Sequence, residues 1–272
     1  MTFTVLTWNI HKGIGGVDRR YRPERVVEVL ARYRPDFALL QEVDEGARRS
    51  RYHRQIDLLG DALGMIHRCY GPTHRLLTYG HYGNAILSRW PLFQEHQLDL
   101  TIGTRKRRGA IYARARIRFG RKAQTVALYN LHLGLAGSER ALQLRRFLRT
   151  DPFYRLHHRT PIVLGGDFND LWGTLGARIL LPAGFRRAGR RWNTFPAFMP
   201  VRPLDGIFLR GDVRARHCFP SKLGAAREAS DHLPLVAELE ITRGSLADLE
   251  RTGERLAHTE RRRRFSLALE SG

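Results

Sequence analysis

Asp167 and Asn169 stand two residues apart at the end of an apolar run, Val163-Leu164-Gly165-Gly166-Asp167-Phe168-Asn169-Asp170. A carboxylate and a carboxamide at that spacing can hold a cation, a water molecule or a phosphate oxygen between them. In extended chain, residues i and i+2 share a side, so both face one cavity while Phe168 turns into packing. The two glycines let the backbone turn and a ligand approach. A tight Gly-Asp-Asn turn between a strand and a helix uses the same residues, with Asp170 as the cap of that helix.

Other polar groups also stand at the ends of strand-like runs. These are Asn9, Glu42 (after Gln41), His132, Asp205 and the pair Asp231-His232. Each has an ordinary explanation: Asn9 a turn residue, Glu42 a solvated strand end, His132 a satisfied core histidine, Asp231 a cap. As a set they point to one rim, because strand ends converge where sheets build sites. The chemistry that uses them is metal-assisted hydrolysis of a phosphate ester. Asn9, Glu42 and Asp231 offer hard oxygen ligands without thiolates, which suits Mg2+ or Mn2+ rather than a structural zinc. Asp167 would orient or deprotonate the attacking water, and Asn169 would hold it or a phosphate oxygen. His232 needs an orienting carboxylate, for which Asp205 is the candidate. His132 would donate a hydrogen bond or proton.

The elements that must carry these groups follow from periodicity. Strands are expected over 2–10, 36–43, 65–70, 110–119, 123–133, 161–164, 203–209 and 230–237, the last two each carrying a carboxylate at its start, and residues 80–89 read as a loop entering a strand that Pro91 ends. Helices are expected over 23–33, 54–63, 138–149 (capped by Ser138) and 171–181. Residues 192–196 read as an aromatic loop, and Arg105-Lys106-Arg107-Arg108 as a solvated hairpin cluster or a binding element. From Arg243 the pattern changes to a weak leucine stripe, an arginine run and Phe265 to Leu269. We therefore divide the chain into a domain over 1–242 and a basic helical or flexible appendage over 243–272.

With 272 residues, 42% of them hydrophobic, the chain can bury one sizeable core. Its formal net charge of +21 at pH 7 points to a polyanionic partner, nucleic acid first and an anionic membrane surface second. Only 4 of the 47 basic residues are lysines, a bias that genome composition also produces, although arginine's fork suits phosphate either way. Cys69 and Cys218 form no disulfide framework or C-x-x-C pair. Neither a signal peptide nor a spanning segment is recognisable, so the expected setting is a soluble cytoplasmic monomer.

The motifs Trp8-Asn9-Ile10, Leu40-Gln41-Glu42-Val43, Gly83-Asn84-Ala85-Ile86-Leu87-Ser88-Arg89, Asn130-Leu131-His132-Leu133, Gly165-Gly166-Asp167-Phe168-Asn169, Leu204-Asp205-Gly206-Ile207 and Ser230-Asp231-His232-Leu233-Pro234-Leu235 occur in one order. In that order the chain resembles the endonuclease/exonuclease/phosphatase superfamily over residues 2 to about 241. Small stand-alone bacterial members also carry entries like Asn-Ile-His-Lys-Gly at 9–13 and Thr-Phe-Pro at 194–196. The resemblance implies an α/β fold, a four-layer sandwich of two mixed, mostly antiparallel sheets flanked by helices. It implies a divalent-metal phosphodiesterase, a nuclease or alternatively a phospholipid or phosphoinositide enzyme. Asn9, Glu42 and Asp231 fall to the metal side, Asp167 and Asn169 to water and phosphate, and His232 to the phosphate with Asp205 behind it. His132 matches the histidine of the deoxyribonuclease-like branch. Where that branch has a supporting carboxylate, this chain has His81. His81, Asn84, Arg108 and Thr194 are the expected substrate contacts.

Overall fold

The computed structural model describes residues 1–76 and 79–242. The expected appendage over 243–272 lies outside the described residues. The chain forms two six-stranded sheets. The first contains β1 (Thr2–Asn9), β2 (Phe37–Glu45), β3 (His67–Arg75), β4 (His81–Ser88), β11 (Val213–Pro220) and β12 (Leu235–Ile241), in the order β11-β12-β1-β2-β4-β3. The second contains β5 (Leu92–Asp99), β6 (Gly109–Phe119), β7 (Lys122–His132), β8 (Ile162–Asp167), β9 (Arg186–Arg187) and β10 (Asp205–Arg210), in the order β5-β6-β7-β8-β10-β9. Each sheet holds one parallel pair, β1 with β2 and β7 with β8, among antiparallel neighbours. The sheets are therefore mixed and mostly antiparallel, as expected.

Alternation along the strands builds the layers. Phe3, Val5, Phe37, Leu39, Ile111, Ala113, Leu128, Val163, Ile207 and Leu239 fill the space between the sheets. On the outer face of the first sheet, Leu6, Trp8, Ala38 and Leu40 pack with α1 (Pro23–Tyr33), α2 (Gln55–Leu63) and α5 (Gly224–Ala229). Helix α1 starts on a proline and buries Val26, Val29 and Leu30, each contributing roughly 1.5–3 kcal/mol of apolar burial. On the second sheet, Tyr129, Leu131 and Leu164 pack with α3 (Gly137–Phe147) and α4 (Asp151–Tyr154) through Leu144, Phe147 and Phe153.

Several local expectations are corrected. The helix expected over 171–181 is a turn followed by a single π-helical turn, Gly176–Leu180. Gly173 at φ 62 breaks the segment, and Asp170 Oδ2 accepts the Leu175 amide at 2.6 Å. Asp231 and His232 precede the last strand instead of opening it. Ser230 Oγ takes the His232 amide at 3.1 Å, and Pro234, which has no N–H for a ladder, stands just before β12. Strands β5, β9 and β11 were not delimited by pattern. Their residues are mostly exposed or half-buried, so they lack the apolar alternation of β1 or β8. Ser138 lies inside α3, which is flanked by Ala136 without a side-chain cap.

In β8, Gly165 faces Leu39 of the opposite sheet, where a Cβ would come within 2.6 Å of Leu39 Cδ1. Gly166, at φ 150, has the Leu131 carbonyl where a Cβ would stand, 2.0 Å away. Gly166→Ala should lose about 3 kcal/mol of stability in urea unfolding, from overpacking plus backbone strain. Gly224→Ala, in α5 with open space around it, should stay within about 0.5 kcal/mol of the parent.

Candidate active site

The carboxyl ends of both parallel pairs point the same way, and the antiparallel neighbours begin there. Asn9 is in register with Gln41, His132 with Asp167, and Asp167 with Asp205. Continuing the inward alternation, Thr7 and Asn9, Leu39 and Gln41, Asn130 and His132, and Gly165 and Asp167 all face the space between the sheets. That space is apolar until this level and polar beyond it. Gln41 Nε2 crosses to Asn130 Oδ1 at 2.7 Å and also reaches Leu39 O at 2.8 Å and Thr7 Oγ1 at 3.1 Å. Asn130 Nδ2 donates back to Leu40 O at 2.8 Å and Ala85 O at 2.9 Å in the first sheet. This amide floor was not singled out in the sequence; its signal was an amide inside each of two apolar strands.

Asp167 is 1% exposed at the centre of the layer above. Its Oδ2 accepts Asn9 Nδ2 at 3.0 Å and its Oδ1 accepts the Asn169 amide at 2.8 Å. His132 Nε2 and His232 Nε2 lie 3.5 and 3.9 Å from Oδ2. Asn169, at φ 49, anchors itself by donating Nδ2 to Leu133 O at 2.8 Å. Burial raises the Asp167 pKa to about 6, against the pull of His232 and with a further push from Asp205.

Asp205 Oδ2 meets His232 Nδ1 at 2.9 Å and accepts Thr194 Oγ1 at 2.5 Å. Thr194 is fully buried, so the structure places it behind the Asp205/His232 pair. Burial alone would lower the His232 pKa, but Asp205 and then Asp167 override it and raise it to about 10. His132 goes the other way. Burial, then the nearby Arg108 charge, holds its pKa well below the usual histidine value. One buried layer thus contains a cationic and a neutral imidazole around a carboxylate that titrates near neutrality.

Arg108 is 7% exposed and its Nε has no hydrogen-bond partner among the described residues. Together with Lys106, Arg49 and Arg107 it also lowers the pKa of His74, after burial, which marks a cationic rim on this side. Asn84 is buried and donates to Gly109 O at 3.0 Å, tying β4 to β6. His81 opens β4 opposite Glu45, and no hydrogen bond joins it to His132 among the described residues.

Glu42 sits on a bulge where β2 carries one extra residue against β4 between Leu40 and Val43, at φ 55. Burial raises its pKa, but Lys12, which pairs with Oε2, and then His132 bring it down to about 2. Lys12 was another group not singled out. Asp231 is 30% exposed at its side chain. Asn9 Oδ1 accepts the His11 amide at 3.0 Å. An ionised buried carboxylate with a partly open one suits a hard divalent ion. Among the described residues, the three-residue group whose ligand-type atoms lie within 4.8 Å of one another is Asp167, Asp205 and His232. His232 compensates the charge of that cluster as Lys12 compensates that of Glu42; Glu42 and the partly open Asp231 offer the carboxylate oxygens that a hard divalent ion takes.

Two stacked mixed sheets with a carboxylate and histidine layer at one rim define a phosphoesterase fold. The chain belongs to the Endonuclease/Exonuclease/phosphatase family, whose model matches residues 6–232. It is 30% identical over 253 residues to the uncharacterized protein YbhP of Escherichia coli (strain K12), covering 88% of this chain and 97% of that one. It is similar in structure to the endonuclease/exonuclease/phosphatase from Beutenbergia cavernae DSM 12333, with a TM-score of 0.75 and 22% identity over 89% of this chain and 72% of that one. It is also similar to D. rerio TDP2 complexed with single strand DNA product, with a TM-score of 0.61 and 19% identity over 88% and 99% of the two chains. Among the described residues, no helix is long and apolar enough to cross a membrane.

The proton affinities of the layer can be read by NMR. The His232 imidazole should stay protonated to about pH 10. Removing its strongest charged partner in Asp205→Asn should lower that midpoint, and Thr194→Val should move it less. A His232 midpoint unchanged in Asp205→Asn would contradict the assignment.

Proposed function

We propose that the chain is a divalent-metal-dependent phosphodiesterase that hydrolyses nucleic acid. The observation that carries this reading is the buried layer around Asp167, whose Oδ2 accepts Asn9 Nδ2 at 3.0 Å and lies 3.5 and 3.9 Å from His132 and His232, with Asp205 2.9 Å behind His232. Asp167 takes the proton of the attacking water while Asn169 and Asn9 fix its carboxylate. His232, oriented by Asp205 and Thr194, donates to a phosphoryl oxygen as negative charge builds there. His132, neutral and buried, offers a hydrogen bond on the opposite side. A divalent ion at Glu42 and Asp231, with Asn9 beside them, would polarise the phosphoryl group and offset charge on the leaving oxygen. Nucleic acid is favoured by the net charge of +21, by the rim of Arg49, Lys106, Arg107 and Arg108, and by the TDP2 likeness in complex with single strand DNA product.

A phospholipid or phosphoinositide phosphodiesterase is the second reading. Phe198, Met199 and Val201, 51–61% exposed in the loop after Phe195, favour it, since Phe195 packs 5.0 Å from the His232 ring.

A panel of single- and double-stranded DNA, RNA, anionic phospholipid vesicles and inositol phosphates, with Mg2+ or Mn2+, separates the two. DNA or RNA should be cut, chelator should abolish cutting, and Asp167→Ala should lower turnover on the order of 10²–10⁴-fold. Turnover of lipid alone would replace the first reading with the second. With Asp167 as base, activity should rise as pH passes about 6, and it should fall as pH approaches about 10 and His232 loses its proton. A pH–rate profile with its rising limb elsewhere would remove Asp167 from that role.

A further inference from the structure

Val17 and Phe198, 69% and 61% exposed, stand on two different loops yet line one cavity of about 200 Å³, together with Phe195, Arg19, Arg227 and Asp231. The cavity opens beside the buried layer. Asp231 directly precedes His232, and the Phe195 ring lies 5.0 Å from the His232 ring.

Both loops are held to that layer. The Ala197 amide donates to Asp231 O at 2.7 Å, and Phe195 pairs with Arg202 across its own loop in both directions, at 3.1 and 2.8 Å. In the other loop, Gly16 runs so close to Asp231 that a Cβ on it would meet the Asp231 Cα at 2.7 Å. The aromatic wall is thus set before a ligand arrives, which keeps the ordering cost of binding low.

Charge and size select the occupant. Asp18 and Glu228 are answered by Arg25, at 2.8 and 3.6 Å. Arg19 and Arg227 line the cavity and have no ion pair among the described residues, so two guanidinium groups are left for a ligand's anionic groups. At about 200 Å³ the cavity is smaller than the roughly 300–1,000 Å³ that whole drug-sized molecules take, and it suits one flat ring system. An apolar slot with cations at its lip matches a nucleobase still joined to its phosphates. A lipid surface would use the convex tips Met199 and Val201, but neither lines the cavity as Phe198 does.

We propose that this cavity takes one unstacked base of the nucleotide adjoining the scissile phosphate, with Arg19 and Arg227 on the phosphate beyond it, and that it makes single-stranded nucleic acid the substrate. A base in a duplex is paired and stacked on both faces, and it must be flipped out to enter such a cavity. Single strands offer their bases to aromatic side chains directly. The proposal rests on the nucleic-acid reading above and adds to it a strand form and a base subsite.

The test uses the full chain, with Mg2+ or Mn2+, and one oligonucleotide offered alone and annealed to its complement. The single strand should be cut with a kcat/KM about tenfold higher or more. When one base is removed at each position in turn, a single position next to the cut should lower kcat/KM about tenfold. Phe198→Ala should lower cleavage of the intact strand by about the same factor, and Phe198→Trp should restore it. Combining Phe198→Ala with the missing base should cost no more than either change alone, since both delete one contact. Phe198 is exposed, so its replacement leaves the fold intact, which the unfolding midpoint verifies. Equal cleavage of both strand forms, no position sensitive to base loss, or additive effects would overturn the proposal while the nucleic-acid reading stands. Loss of binding to anionic phospholipid vesicles in Phe198→Ala, with oligonucleotide cleavage unchanged, would assign the patch to a membrane surface and overturn it too. Cleavage of neither strand form defeats the nucleic-acid reading itself, and the proposal with it.

Discussion

The cross-sheet pair Gln41/Asn130 is the interaction on which the site depends. Below it the two sheets meet through aliphatic side chains, which transmit no direction. At its level each amide donates into the other sheet, so the relative slide of the sheets is fixed by hydrogen bonds of 2.7–2.9 Å. Such buried polar links cost much when broken and therefore select one arrangement. Half of the chemical groups above this floor come from each sheet. Asn9, Glu42 and the loop carrying His232 belong to the first; His132, Asp167 and Asp205 belong to the second. Without a fixed slide their spacing would have no reason to be constant.

The charges above the floor are arranged as pairs with opposite outcomes. His232 is wedged between two carboxylates and stays cationic. His132, equally buried, feels Arg108 more than any anion and stays neutral. Glu42 is answered by Lys12 and remains ionised, while burial raises the proton affinity of Asp167 against the pull of His232. The same residue types thus separate into base, cation and ligand through neighbours alone.

Much of this was legible in the sequence because strands report themselves twice, by alternation and by where alternation stops. Asn9, His132 and Asp167 each end an alternating run, and the structure brings all three within one layer. The order of the motifs then supplied the layered fold. What was not legible depends on contacts without sequence proximity. Thr194 is 11 residues from Asp205 along the chain and reads as a substrate contact in an aromatic loop, whereas it is buried with its hydroxyl on that carboxylate. The Glu42 bulge moves the side chain off the strand's period, and Lys12 reaches Glu42 from a loop whose left-handed backbone no propensity foretells. Strands β5 and β11 escaped for a different reason. They lie at or beside sheet edges with much of their surface in solvent, where the apolar period disappears.

Strand β12 is the last described strand, yet it lies between β11 and β1, the first strand of the fold. Through it the two ends of the domain are clasped at the site: Trp8 Nε1 bonds His232 O across 224 residues, and Ser230 Oγ bonds Asn9 O across 221. During synthesis, both bonds must wait until residues 230–232 have left the ribosome and the final strand has inserted. The carboxylate and histidine layer is consequently complete only once the whole domain has been made.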